Sequence, residues 1–195
     1  NTMTILSAII ASLGLLLNSS AVIIGAMIIA PLMSSLLGTS LSVVQGDQRM
    51  LRLSLRTLIQ GILLVFAASL FLGWLVPGSD ITDQMLGRTS PTLLDLGVAL
   101  ASGAAAAYAT SRREAAGALS GVAIAVALVP PLATVGLLVG SGELSLGVQA
   151  LLLFLTNLVA IVSAAVVVFL WMGFHPRSTE GQQSKTFRGG LLGTT

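Results

Sequence analysis

Long apolar runs separated by short polar stretches dominate this chain, and none of them alternates residue by residue. Six can be drawn, at about 3–17, 20–44, 51–76, 91–109, 117–139 and 146–173. Runs of about 18 or more apolar residues are long enough to cross the hydrocarbon core as helices. A transmembrane barrel would instead show alternating segments of about ten residues. The pattern therefore predicts an all-α polytopic membrane protein with six transmembrane helices. The opening residues NTMTILSAII carry no basic segment of the kind that precedes a signal peptide core, so 3–17 is expected to be a retained span.

Two runs are interrupted near their middles, the second by Pro31 and the fifth by Pro130 and Pro131. Proline has no amide hydrogen, and its ring crowds the carbonyl one turn back. In hydrocarbon a carbonyl freed in this way is costly unless protein or cavity water satisfies it. The breaks therefore predict a protein-lined or wet surrounding. Ser20–Leu37 also lines up with Ser120–Leu137 at a constant offset: Ser20 with Ser120, Val22 with Val122, Ile24 with Ile124, Pro31 with Pro131 and Leu32 with Leu132. An internal duplication with three spans per repeat must enter the membrane from opposite faces. The expected architecture is thus two three-helix inverted-topology repeats, about 1–76 and 91–174, with proline-broken helices two and five. Residues 1–174 form the transmembrane domain, and the polar stretch 175–195 is expected to be a disordered cytoplasmic tail.

Composition sharpens this picture. The chain is 55% hydrophobic and only 8% charged, against roughly 25% charged in soluble domains. Six alternating spans place Arg49, Arg52, Arg56, Arg112, Arg113, Arg177, Lys185 and Arg188 on one side and only Arg88 on the other. That bias predicts both termini in the cytoplasm.

Polar groups within the spans are the candidates for chemistry. Pro31, Ser35, Gly38 and Ser42 share one helical face, flanked by Ser34 and Thr39. Pro130, Pro131 and Thr134 lie in span five, Thr156 and Asn157 in span six, and Gln60 in span three. These hydroxyls, amides and freed carbonyls could converge on a neutral solute or a desolvated cation, or could serve interhelical packing. Gly117, Gly121 and Ala125 form a small-xxx-small ridge, and span four is rich in Gly and Ala; both suit helix packing. Thr89-Ser90-Pro91-Thr92 offers a hydroxyl cap and a first-turn proline to span four. Asp95, in that helix's first turn, is either a cap or an outer access residue for protons or cations. Arg52 and Arg56, one turn apart, are expected to snorkel to the headgroups.

No acid or base lies deep in any span, the single His175 sits at the end of span six, and there is no cysteine. A buried proton relay, a thiolate or zinc site, a membrane-embedded Ser-His pair and a phosphate-binding loop all lack their residues. The chain is expected not to be an enzyme, to need no metal or other cofactor, and to bind no nucleic acid.

Four stretches together, SSAVIIGAMIIAPLM (19–33), RTSPTLLDL (88–96), GVAIAVALVPPLATVG (121–136) and FLTNLVAI (154–161), resemble the bacterial and archaeal hydrophobic membrane family known as domain of unknown function 389. The resemblance covers about residues 1–176. It implies a multi-pass protein of the cytoplasmic (inner) membrane and supplies no activity. The leading expectation is a transporter or channel for a small solute or ion, in a homo-oligomer, with a midplane site at the broken helices. The alternative is a non-transporting scaffold or signalling module that acts through its basic cytoplasmic loops.

Overall fold

In the computed structural model the described residues are 2–29, 32–76, 78, 80–112 and 128–175, and every regular element among them is a helix. The order is α1 (Thr2–Leu16), α2 (Ser20–Ile29), α3 (Leu32–Gln45), α4 (Gln48–Leu75), α5 (Asp83–Leu86), α6 (Leu93–Ser111), α7 (Val129–Gly140) and α8 (Leu144–Trp171). By length and composition α4, α6 and α8 can cross a membrane, and α2 with α3 makes a fourth candidate span bent by 52° at its break. α1 and α7 are apolar but shorter. Pro31, Arg113, Gly117, Gly121, Ala125 and residues 176–195 lie outside the described residues.

The surface is inverted relative to that of a soluble protein. Leu63, Phe71, Val159 and Val167 face outward, while Ser7, Ser12, Ser40, Ser42, Ser69 and Thr134 are fully buried. Lipid tails are as apolar as leucine, so helices gain by turning small and hydroxylated faces toward one another. Trp74 and Trp171, exposed at the ends of α4 and α8, suit the interfacial aromatic belt. Trp74 lies about 27 Å from Arg56 along α4, which matches a hydrocarbon core of about 30 Å.

The buried centre is α7. Every residue from Val129 to Leu138 is buried, the mark of a helix with neighbours on all sides. It packs chiefly against α4 and α8, and also against α1. Its contact with α4 is made through small residues. A Cβ on Gly136 would meet Ser69 Cβ at 2.6 Å and one on Gly140 would meet the Leu70 carbonyl at 2.4 Å. From the other side, a Cβ on Gly73 would meet the Leu137 carbonyl at 2.4 Å. Gly136-xxx-Gly140 thus interlocks with Ser69-xxx-Gly73. The contacts advance together along both chains, so α4 and α7 run in the same direction. α6 meets α8 in a similar way, with Gly103 against the Ile161 backbone.

These contacts also fix the depth at which the short helices begin. α3 and α4 form an antiparallel hairpin in which Gly38 abuts Ser54 and Gly61 abuts the Leu32 side chain. Leu32, the first residue of α3, is therefore level with Gly61, halfway along α4. Carrying the Gly136–Ser69 register back to the start of α7 sets Val129 level with Ile62. α3 and α7 consequently begin at one depth and leave it in opposite directions. α8 joins α7 in a second hairpin, where Gly147 lies against Val139; the same register brings the start of α7 beside Asn157, the fourteenth of 28 residues in α8.

The connection after α4 folds back onto the bundle. Asn18, with φ at 52°, accepts at Oδ1 from the Gln84 amide at 3.1 Å, and the Thr82 hydroxyl donates to the Leu15 carbonyl at 2.8 Å. Met85 is buried in the main cluster with residues of α1, α4 and α7. Arg88 in the same connection donates to the carbonyl and side chain of Gln84, and burial lowers its pKa from the ordinary guanidinium value. α6 starts at Leu93 with Thr92 as its cap, so Pro91 lies just before the helix and not in its first turn.

Gly140→Ala is expected to destabilise the bundle by about 1–3 kcal/mol, because the new methyl overlaps backbone that cannot step aside. Gly25→Ala, where nothing lies within 4 Å, should be neutral or slightly stabilising. Unfolding midpoints of the two variants in detergent would check the contrast.

Candidate functional site at mid-depth

Two helix starts at one depth inside an apolar layer raise the question of where their backbone groups find partners. In α7 the prolines remove much of the problem, since Pro130 and Pro131 stand in its first turn. There an amide hydrogen would have no intrahelical acceptor, and its absence costs nothing. Leu132, the next residue, donates its amide to the Leu128 carbonyl at 3.4 Å. The prolines thus open a helix.

The facing helix end is served from α1. α2 stops at Ile29, and Ala26 carries one of its last four carbonyls, which a helix end leaves without a partner. The Ser7 hydroxyl donates to that carbonyl at 2.6 Å, fully buried. Five residues further along α1, Ser12 donates to the Ser69 hydroxyl of α4 at 2.9 Å. Neither serine was among the sequence candidates. The signal was present, in buried-type hydroxyls spaced along an apolar helix next to a proline-broken one.

The predicted residues divide into those that face inward and those that do not. Ser35 and Thr39 on α3 and Pro130, Pro131 and Thr134 on α7 are buried. The Thr39 hydroxyl donates to the Ser35 carbonyl at 2.8 Å and that of Thr134 to the Pro130 carbonyl at 2.9 Å. Each spends its proton within its own helix and keeps oxygen lone pairs free to accept. Ser34 and Thr156 are exposed on the outer faces of α3 and α8, and Thr156 donates to the Leu152 carbonyl at 2.8 Å. The helical turn separates Thr156 from its neighbour Asn157, so the two do not share a face.

Asn157 differs from the rest. It lies on the inward face of α8, between the buried Phe154 and Ile161. Its Oδ1 is fully buried and has no hydrogen-bond partner among the described residues. A buried carbonyl-type acceptor without a partner costs about 1–3 kcal/mol. Ser40 of α3 reaches the Val162 carbonyl over a long 3.5 Å, which brings α3 against α8 just beyond Asn157. Leu32, Leu128 and Leu132 belong to one hydrophobic cluster with Phe154 and Ile161, the residues one turn to either side of Asn157.

Asp95 is engaged in structure at the start of α6. It accepts from the Thr92 amide at 2.8 Å, and its own amide donates to the Thr92 hydroxyl at 3.2 Å, closing a capping box. Among the described residues no group of three or more His, Cys, Asp or Glu side chains is placed to hold a metal ion.

A family model described as a domain of unknown function (DUF389) matches residues 27–163. An uncharacterized protein of Methanocaldococcus jannaschii is 37% identical over 174 residues, 89% of this chain and 54% of the relative. The chain thus spans about half the length of that protein. No solved structure matches.

Asn157→Leu is expected to hold or raise the unfolding midpoint, since it removes an acceptor that nothing satisfies. Ser7→Ala should lower stability by about 1 kcal/mol by uncovering the Ala26 carbonyl. A loss of stability in Asn157→Leu would mean that its side chain is bonded after all.

Proposed function

The chain belongs to the family defined by domain of unknown function 389, and on that footing we propose that it is a transporter or channel for a small solute or ion. The observation that carries this reading is Asn157 Oδ1, a buried acceptor without a partner, at the depth where α3 and α7 begin. Discontinuous helices in corresponding halves, meeting near the midplane, are the sequence and structural habit of secondary transporters.

The six-span inverted repeat belongs to this proposal. Two hairpins support it, each a short helix followed by a 28-residue helix, α3 with α4 and α7 with α8. The short members point in opposite directions from a common depth, as inversion requires. In this reading both termini are cytoplasmic, the membrane is the inner one, the protein is a homo-oligomer and no covalent chemistry is performed. Transport requires the packed junction around Leu32, Leu128 and Leu132 to open in alternation toward the two sides.

The absence of cysteine from the sequence makes the test direct. Single cysteines at Ser35, Thr134 and Asn157 in reconstituted protein should react with a membrane-impermeant thiol reagent from at least one side. Thr134 is fully buried here, so its labelling would report an opened state. Silence at all three, with loop cysteines reacting normally, would favour the packed scaffold instead.

A further inference from the structure

The first four turns of α4 carry a face that no other described element covers. Arg49, Arg52 and Arg56 follow one another at three- and four-residue spacing, and all three are exposed. Between them runs an open groove of about 650 Å³ whose lining includes Arg52 and Arg56, an apolar floor of Leu51, Leu55 and Ile59, and Gln60 at its far end. A smaller groove on the other side shares Arg52 and adds Arg49 and Leu53. Among the described residues no carboxylate lines either one. Asp47, the residue just before α4, is occupied as the helix cap, accepting from the Met50 amide at 2.9 Å.

The groove also has a definite depth. Counting about 20 residues back from Trp74, the span of the hydrocarbon core at helical rise, reaches Ser54. Arg52 therefore stands at the boundary, and Arg56 lies inside it by less than one turn. A guanidinium there must bend back toward the headgroups or draw a phosphate inward. The groove joins both possibilities, with cationic forks at its mouth and an apolar trough continuing toward the membrane centre. A second copy seated on this face by two-fold symmetry would set arginine against arginine.

We propose that this face of α4 is a binding site for an anionic phospholipid, with the phosphate held between Arg52 and Arg56 and the acyl chain along Leu55 and Ile59. Guanidinium forks match phosphate oxygens in bidentate geometry, which an ammonium does not. The site is independent of any solute path, so it stands whether or not the protein transports.

The test uses the whole chain, purified in a neutral detergent and stripped of lipid. Phosphatidylglycerol and phosphatidylcholine of matched chains are added back, with retained lipid counted by native mass spectrometry and thermal unfolding followed in parallel. Phosphatidylglycerol should be retained in preference and should raise the unfolding midpoint. Arg52→Gln with Arg56→Gln should weaken that retention about 25-fold, on the basis of roughly fivefold for each basic residue near an anionic surface. The paired lysine variants should fall between, which separates charge from geometry. Arg112→Gln, at the far end of α6 where the guanidinium lies over Tyr108, should leave the preference unchanged. Equal retention of the two lipids would overturn the proposal, as would an unaltered preference in the double glutamine variant. Displacement by glycerol phosphate as effective as by whole lipid would overturn it in favour of a soluble anion. A change of oligomeric state in the double variant, without loss of lipid, would overturn it in favour of a subunit contact.

Discussion

A helix that ends inside hydrocarbon has nowhere to place its terminal backbone groups except within protein. That constraint organises the bundle around α7. Twelve residues rise about 18 Å, too little to cross the core, so one end of α7 must lie at depth. The structure meets the demand by enclosing α7 on every side and by opening it with prolines that bring no amide hydrogens to satisfy. The neighbouring break is handled in another way, with a serine hydroxyl from α1 supplied to a terminal carbonyl of α2. Prolines and serines, unremarkable singly, solve complementary halves of one problem.

Enclosure in turn requires close approach. Between Gly136-xxx-Gly140 and Ser69-xxx-Gly73 the backbones come so near that one added methyl would overlap a carbonyl. In lipid this geometry is the main source of attraction available, because burying leucine against leucine gains little over leucine against acyl chain. The long helices α4 and α8 give the short ones a frame that reaches both interfaces, with tryptophan at an end of each. The connection after α4, tied down by Asn18 and Thr82, closes one end of that frame.

Much of this was legible in the sequence, since membrane helices announce themselves by length and hydropathy. Five helix positions follow from the apolar runs to within a few residues, and the division of the second run follows from Pro31. The family, too, was readable from four short stretches. The packing ridges were harder to locate. The small-xxx-small ridge expected at Gly117, Gly121 and Ala125 lies outside the described residues, and the interlocking pair that the structure does describe is at Gly136 and Gly140 with Ser69 and Gly73. Such motifs recur throughout a chain rich in Gly, Ala and Ser, and spacing alone does not say which ones meet. Ser34 and Thr156 were drawn toward the site by composition and turned away by helical phase. Asn157 was found because an amide halfway along an apolar span is rare; that its oxygen is unpartnered could be known only from its neighbours.

The opposed starts of α3 and α7 have an electrostatic consequence. Every helix carries about half a positive elementary charge at its N-terminus. Two such termini at one depth add, with their own negative ends directed toward the interfaces, and against them stands the C-terminal end of α2, whose Ala26 carbonyl the Ser7 hydroxyl partly satisfies. The backbone thus sets the field at this depth without an ionised side chain among the described residues there to create it. That field cannot be titrated away, and it does not pay the desolvation cost of a buried lysine or arginine. An ion at this depth would meet that backbone field before it touched any side chain.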